Sequence, residues 1–164
     1  MPRNLISNGN FETGNFQHWT VTESDGNAKV VVYKDSYRAK IGLGKRDSVM
    51  LDTGRFRAGP EEFKLFLQAS VPELKTQEAP RNLQDGPIIF CTLFGWGPSQ
   101  PAPIYTLPVP FLLSRPQTIY EYHHSMRPGV EEVQLIIGLL SSTDPAAVGP
   151  IYLDNVKYIA DLPD

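Results

Sequence analysis

Residues that end regular structure recur throughout this chain, and no stretch between them sustains an apolar stripe at the helical period. Fifteen Pro and thirteen Gly are spread over 164 residues. The segments they separate are short and rich in β-branched and aromatic side chains, so they read as strands. Such runs lie at 19–22, 28–33, 37–43, 63–71, 88–96, 105–113, 118–125, 133–140 and 151–160, with a shorter one at 48–51. The stretch 61–74 invites a helical reading. Pro72 and its aromatic content favour a strand with Phe63, Leu65, Leu67 and Ala69 on one face. The run 88–96 is almost wholly apolar, as in a central strand buried on both faces. Pro108 and Pro110 cannot donate to a ladder and place 105–113 at a sheet edge. The polar connection 72–87 is too long for a hairpin turn, and loops of that length are commonly functional. About ten short strands without a helix predict one domain over 1–164. Its fold class is all-β, a jelly-roll β-sandwich of two antiparallel sheets.

Charge and composition narrow the partners. The net charge is −3, and the basic residues are scattered rather than gathered into the footprint that nucleic acid requires. No apolar segment approaches the roughly 20 residues of a membrane span. The single Cys91 lies within the apolar run 88–96 and reads as a small core residue, not as a reactive thiol. Met1-Pro2-Arg3 leads directly into a patterned segment, leaving no room for a cleavable signal peptide. Either the chain is a mature or excised piece, or the expected location is the cytoplasm or, by a route that leaves the N-terminus intact, outside.

That patterned segment is Asn4-Leu5-Ile6-Ser7-Asn8-Gly9-Asn10-Phe11-Glu12-Thr13-Gly14, followed by Trp19. Ser36-Tyr37-Arg38-Ala39-Lys40-Ile41 comes next, and Tyr152-Leu153-Asp154-Asn155-Val156 closes the chain. Together these segments resemble the two ends of the jelly-roll carbohydrate-binding modules of the galactose-binding-domain-like group, families 4, 16 and 22 among them. The resemblance covers about a quarter of the chain and is carried by the two ends as a pair. It implies that Trp19 is buried. It also implies a structural Ca²⁺ between the ends, held by Glu12 and Asp154, with oxygens from the turn of Asp35 to Arg38. The physical motive is that two converging carboxylates repel unless a positive group sits between them, and a hard cation with oxygen ligands supplies one. The competing reading is that Glu12 and Asp154 cap turns or pair with Arg38 or Lys40, with no ion.

The resemblance further implies non-catalytic binding of a carbohydrate. A sugar site needs aromatic platforms and a few polar groups. Trp96, Tyr120 and Tyr122 are the candidate platforms, with Tyr105 a further one. Gln68 and Gln134 are the leading polar partners, with Glu121, His123 and Arg115 behind them. Tyr120 and Tyr122 share one face of their strand, and Glu121 and His123 share the other. His123 and His124 therefore point to opposite faces and cannot chelate one zinc ion together. Glu121, Glu131, Glu132 and Asp144 are present, but nothing in the sequence pairs any two of them across a cleft as glycoside hydrolysis requires. The expectation is a protein that is not an enzyme. The alternative is an assembly or adhesion unit of a larger surface or phage-like complex, with the Pro-rich edge 105–110 or the 72–87 connection serving a homo-oligomer.

Overall fold

The computed structural model describes residues 2–24, 26–42, 49–74, 87–98, 101–141 and 149–161. Most of the 72–87 connection, and Asp144, lie outside the described residues. The strands are β1 (Arg3–Asn4), β2 (Thr20–Glu23), β3 (Asn27–Tyr33), β4 (Ser36–Gly42), β5 (Val49–Arg57) and β6 (Glu62–Ser70). They continue with β7 (Pro87–Trp96), β8 (Tyr105–Leu112), β9 (Thr118–Ser125), β10 (Glu132–Ser141) and β11 (Ile151–Ala160). No helix occurs among the described residues, so none is long and apolar enough to cross a membrane.

Two antiparallel sheets result. One runs β3-β4-β11-β6-β9, with β1 added beside β11, and the other runs β2-β5-β10-β7-β8. As expected, the first and last strands lie side by side, Arg3 opposite Ala160. The Pro-bearing β8 is an edge strand, paired only with β7 in its sheet. Segment 62–70 is a strand, as its composition indicated.

Alternation sets the core. In β6, Phe63, Leu65, Leu67 and Ala69 are buried, and in β10, Val133, Leu135, Ile137 and Leu139 are buried. These faces meet between the sheets, where Tyr158 stacks on Phe63 with ring centroids 4.7 Å apart. Cys91 is fully buried there, and burial pushes its thiol well above the usual range, consistent with an inert core residue.

One strand was misread in the sequence. The run at 48–51 does not stop at Leu51 but continues to Arg57. Asp52-Thr53-Gly54 looks like a turn, yet here it forms a β-bulge. Gln134 pairs with Arg55 and Ile136 with Asp52, so Leu135 faces two residues instead of one. Gly54 takes the left-handed φ of 70° that the bulge requires. Thr53 Oγ1 repairs the interrupted ladder by accepting from the Leu135 N–H at 3.0 Å.

Candidate functional site

The chain ends meet at a second bulge. The β4–β11 ladder ends at Ala39–Leu153, and the register of β11 against β6 shifts between Asp154 and Lys157. Into this break the N-terminal segment hooks. Val156 N–H donates to Gly9 O at 2.8 Å, and a Cβ on Gly9 would stand 1.9 Å from Val156 O, so only glycine fits. Asn8 adopts a φ of 53° and ties the loop together, its Nδ2 donating to Asn15 O and Gln17 O. Phe11 is fully buried, edge-on to Phe16. Trp19 is buried as expected and donates its indole N–H to Asn8 O at 3.0 Å.

Glu12 and Asp154 converge closely enough for their charges to interact. Burial pushes the Asp154 carboxyl above the usual carboxylate range. The Asn155 N–H, Arg38 and Lys157 pull it back in part, and Glu12 adds to the rise. The Arg38 guanidinium is also buried, lies over Tyr33 and donates to Ser36 Oγ at 3.1 Å. Lys34 and Asp35, with φ of 52° and 67°, form the two-residue turn between β3 and β4, which leaves Asp35 exposed at its tip. Among the described residues no three His, Cys, Asp or Glu side chains gather as a metal cluster.

The second constellation lies on the outer face of the β2-β5-β10-β7-β8 sheet. Along β7 the buried Ile89, Cys91, Leu93 and Gly95 alternate with half-buried Phe90, Thr92, Phe94 and Trp96 on that outer face. Trp96 is held at the end of β7 by flanking loops. Its carbonyl accepts from the Glu131 N–H at 2.8 Å, and Gly95 O accepts from the Ile104 N–H at 2.8 Å. Its indole N–H donates to Gln134 Oε1 at 3.2 Å. Gln134 Nε2 in turn donates to both carboxylate oxygens of Asp52, at 2.9 and 3.0 Å. The bulge turns Asp52 and Arg55 onto this face, and the Arg55 guanidinium stacks 3.4 Å from the Trp96 ring centroid. An aromatic ring, an amide, a carboxylate and a guanidinium thus sit together on an open sheet surface. Such a set can bind hydroxyls and stack on apolar C–H faces.

The remaining candidates lie elsewhere. Tyr120 and Tyr122 point between the sheets and pack on the core, Tyr120 with its ring centroid 5.4 Å from that of Phe111. Tyr105 is also inward, its hydroxyl 3.4 Å from His124 Nε2. Gln68 lies on the outer face of the opposite sheet, accepting from Asn155 Nδ2 at 2.6 Å and Gln117 Nε2 at 3.2 Å. Glu121 and His123 share that face, 3.4 Å apart. Arg115 donates to Leu74 O. Trp96 and Gln134 are therefore the pair that the fold unites. Asp52 and Arg55 join them, and sequence reading missed both because it ended their strand at Leu51. A larger cleft of about 660 Å³ borders Lys64 and His123, but among the described residues no Trp or Tyr lines it and its Phe63 is buried in the core.

Comparison with solved structures speaks to the fold. A module named TmCBM61, in complex with β-1,4-galactotriose, superposes with a TM-score of 0.64 at 15% identity, over 95% of this chain and 97% of its own. The fold is that of the jelly-roll carbohydrate-binding modules. A second such module, Family 16 Carbohydrate Binding Module-2, gives a TM-score of 0.64 at 13% identity, covering 96% of this chain and 100% of that one. The enzymatically active domain of bacteriophage CBA120 tailspike protein 4 gives 0.68 at 15% identity, over 94% of this chain. This chain spans only 21% of that tailspike chain. No protein-family model matches the sequence, and no curated protein shows significant similarity to it.

Proposed function

We propose that this protein is a non-catalytic carbohydrate-binding module that holds its sugar on the outer face of the β2-β5-β10-β7-β8 sheet, around Trp96. The observation that carries the reading is the chain of contacts Trp96–Gln134–Asp52, which fixes an indole and an oriented amide on an otherwise open surface. Pre-fixed polar groups lose little freedom when they engage hydroxyls, and Phe94 with the part of the indole that Arg55 leaves uncovered supplies apolar area for a pyranose face. The likeness to a module solved with β-1,4-galactotriose adds support at the level of the fold.

A glycan array followed by titration calorimetry tests this. Wild-type protein should bind at least one β-linked oligosaccharide, and Trp96→Ala should weaken that binding by roughly thirtyfold or more while the protein stays folded. Silence across the array, with a concentration-dependent oligomer in light scattering, would favour an assembly role instead.

A structural Ca²⁺ belongs to the same reading. The convergence of Glu12 with the buried Asp154 fits a hard cation, which would relieve their repulsion. The edge of β4 at 36–38, beyond the end of its ladder with β11, would supply backbone carbonyl oxygens. Melting with EDTA and with added Ca²⁺ tests this. An unmoved melting temperature removes the ion and leaves Arg38 as the group that offsets the two carboxylates.

A further inference from the structure

Beside the Trp96 cluster lies a small cleft of about 170 Å³, lined by Ser7, His18, Thr53 and Arg55 among others. It is built where the N-terminal loop passes the β5 bulge. Ser7, His18, Thr53 and Arg55 can each donate a hydrogen bond into it, and among the described residues no carboxylate lines it. Thr53 is already engaged, donating to Gly54 O at 2.8 Å and accepting from Leu135 N–H at 3.0 Å. Ser7, His18 and Arg55 remain. His18 is held at a φ of 72°, a left-handed conformation that costs a non-glycine residue energy and often marks a site.

Arg55 belongs to both places. Its guanidinium covers the Trp96 ring, and the residue is also one of those that line this cleft. It forms no ion pair among the described residues. The nearby Asp52 is turned to Gln134 and to the Gly54 N–H, which it accepts at 2.7 Å. A stacked guanidinium with unused donors, next to a cleft that no described carboxylate lines, is suited to a planar or tetrahedral anion.

Building on the sugar-binding reading, we infer that the cleft is a specificity subsite for an anionic substituent on the bound glycan. Arg55 binds the charge while Trp96 carries the adjoining pyranose. A uronate carboxylate and a sulfate ester share this chemistry.

The test is calorimetric titration at low salt with matched oligosaccharides: neutral, uronate-bearing and sulfated. Wild type should bind one acidic form about tenfold or more tightly than the neutral one, and the preferred anion identifies the substituent. Arg55→Gln should erase that preference, so that the acidic and neutral affinities become equal. Arg57→Gln, on the same strand but outside the cleft, should keep the preference. Equal affinity of wild type for neutral and acidic forms would overturn the subsite and leave the sugar-binding reading standing. Equal loss in Arg55→Gln and Arg57→Gln would also overturn it, since a diffuse field then explains the preference. Binding of none of the three sugars would overturn the subsite together with the reading on which it rests.

Discussion

The junction of the chain ends and the outer face around Trp96 are built on opposite principles. At the junction the main groups are matched within the protein. Gly9 fits under Val156, Asn8 ties the loop, and Trp19 spends its indole N–H on Asn8 O. On the outer face the Trp96 indole N–H is spent on a side chain, Gln134, which remains at the surface. There Arg55 covers an aromatic ring and, among the described residues, has no acidic partner. A region with its groups satisfied internally holds a fold together, whereas one with polar capacity left over can recognise something. The resemblance that marks the ends therefore speaks to architecture, and binding is to be sought in the middle of the chain.

The sharpest way to break this contrast is to damage each region and read both stability and binding. Phe11→Ala removes a fully buried ring and should cost about 3–5 kcal/mol in denaturant unfolding. The molecules that remain folded should bind sugar with unchanged affinity. Trp96→Ala should do the reverse, lowering affinity by roughly thirtyfold or more in calorimetry while the melting point stays nearly constant. Gln68→Ala, on the far face, should leave affinity unaltered and so serves as the control.

Asp154 allows a finer test of the junction. Its folded-state pKa is raised, chiefly by burial, so the folded protein binds that proton more tightly than the unfolded chain does. In chelator, stability should then decline as the pH rises from the ordinary carboxylate range through the folded pKa. Ca²⁺ should reverse this at neutral pH, raising the melting temperature by several degrees. Asp154→Asn should flatten the pH dependence and abolish the Ca²⁺ response, as measured by calorimetric melting.

The smallest effect concerns orientation. Asp52→Leu frees the Gln134 amide and should weaken sugar binding only severalfold, with the Trp96 platform still in place.

Much of the architecture was legible because alternation and turn residues act locally. The burial of Phe63, Leu65, Leu67 and Ala69 and the edge position of the Pro-bearing β8 were visible in the residues, whereas the meeting of β1 with β11 followed from the resemblance of the two chain ends. The site was half legible. Trp96 and Gln134 stood out by type, but nothing local shows that Phe94 pairs with Gln134 across strands distant in sequence. Asp52 and Arg55 were hidden by the bulge. Asp-Thr-Gly is turn chemistry, and only the partner strand β10 makes it a strand interior. Tyr120 and Tyr122 illustrate the opposite limit. Their shared face was evident, but which way that face points depends on the packing of the two sheets.

The two tryptophans make a direct test of the central claim, because one belongs to each region. In ¹⁵N-labelled protein titrated with an oligosaccharide that it binds, the indole N–H resonance of Trp96 should shift, together with the amides of Asp52, Arg55 and Gln134. The indole resonance of Trp19, donated to Asn8 O inside the junction, should stay fixed. Shifts centred instead on Gln68, Gln117 and Asn155 would move the site to the other sheet and contradict the account.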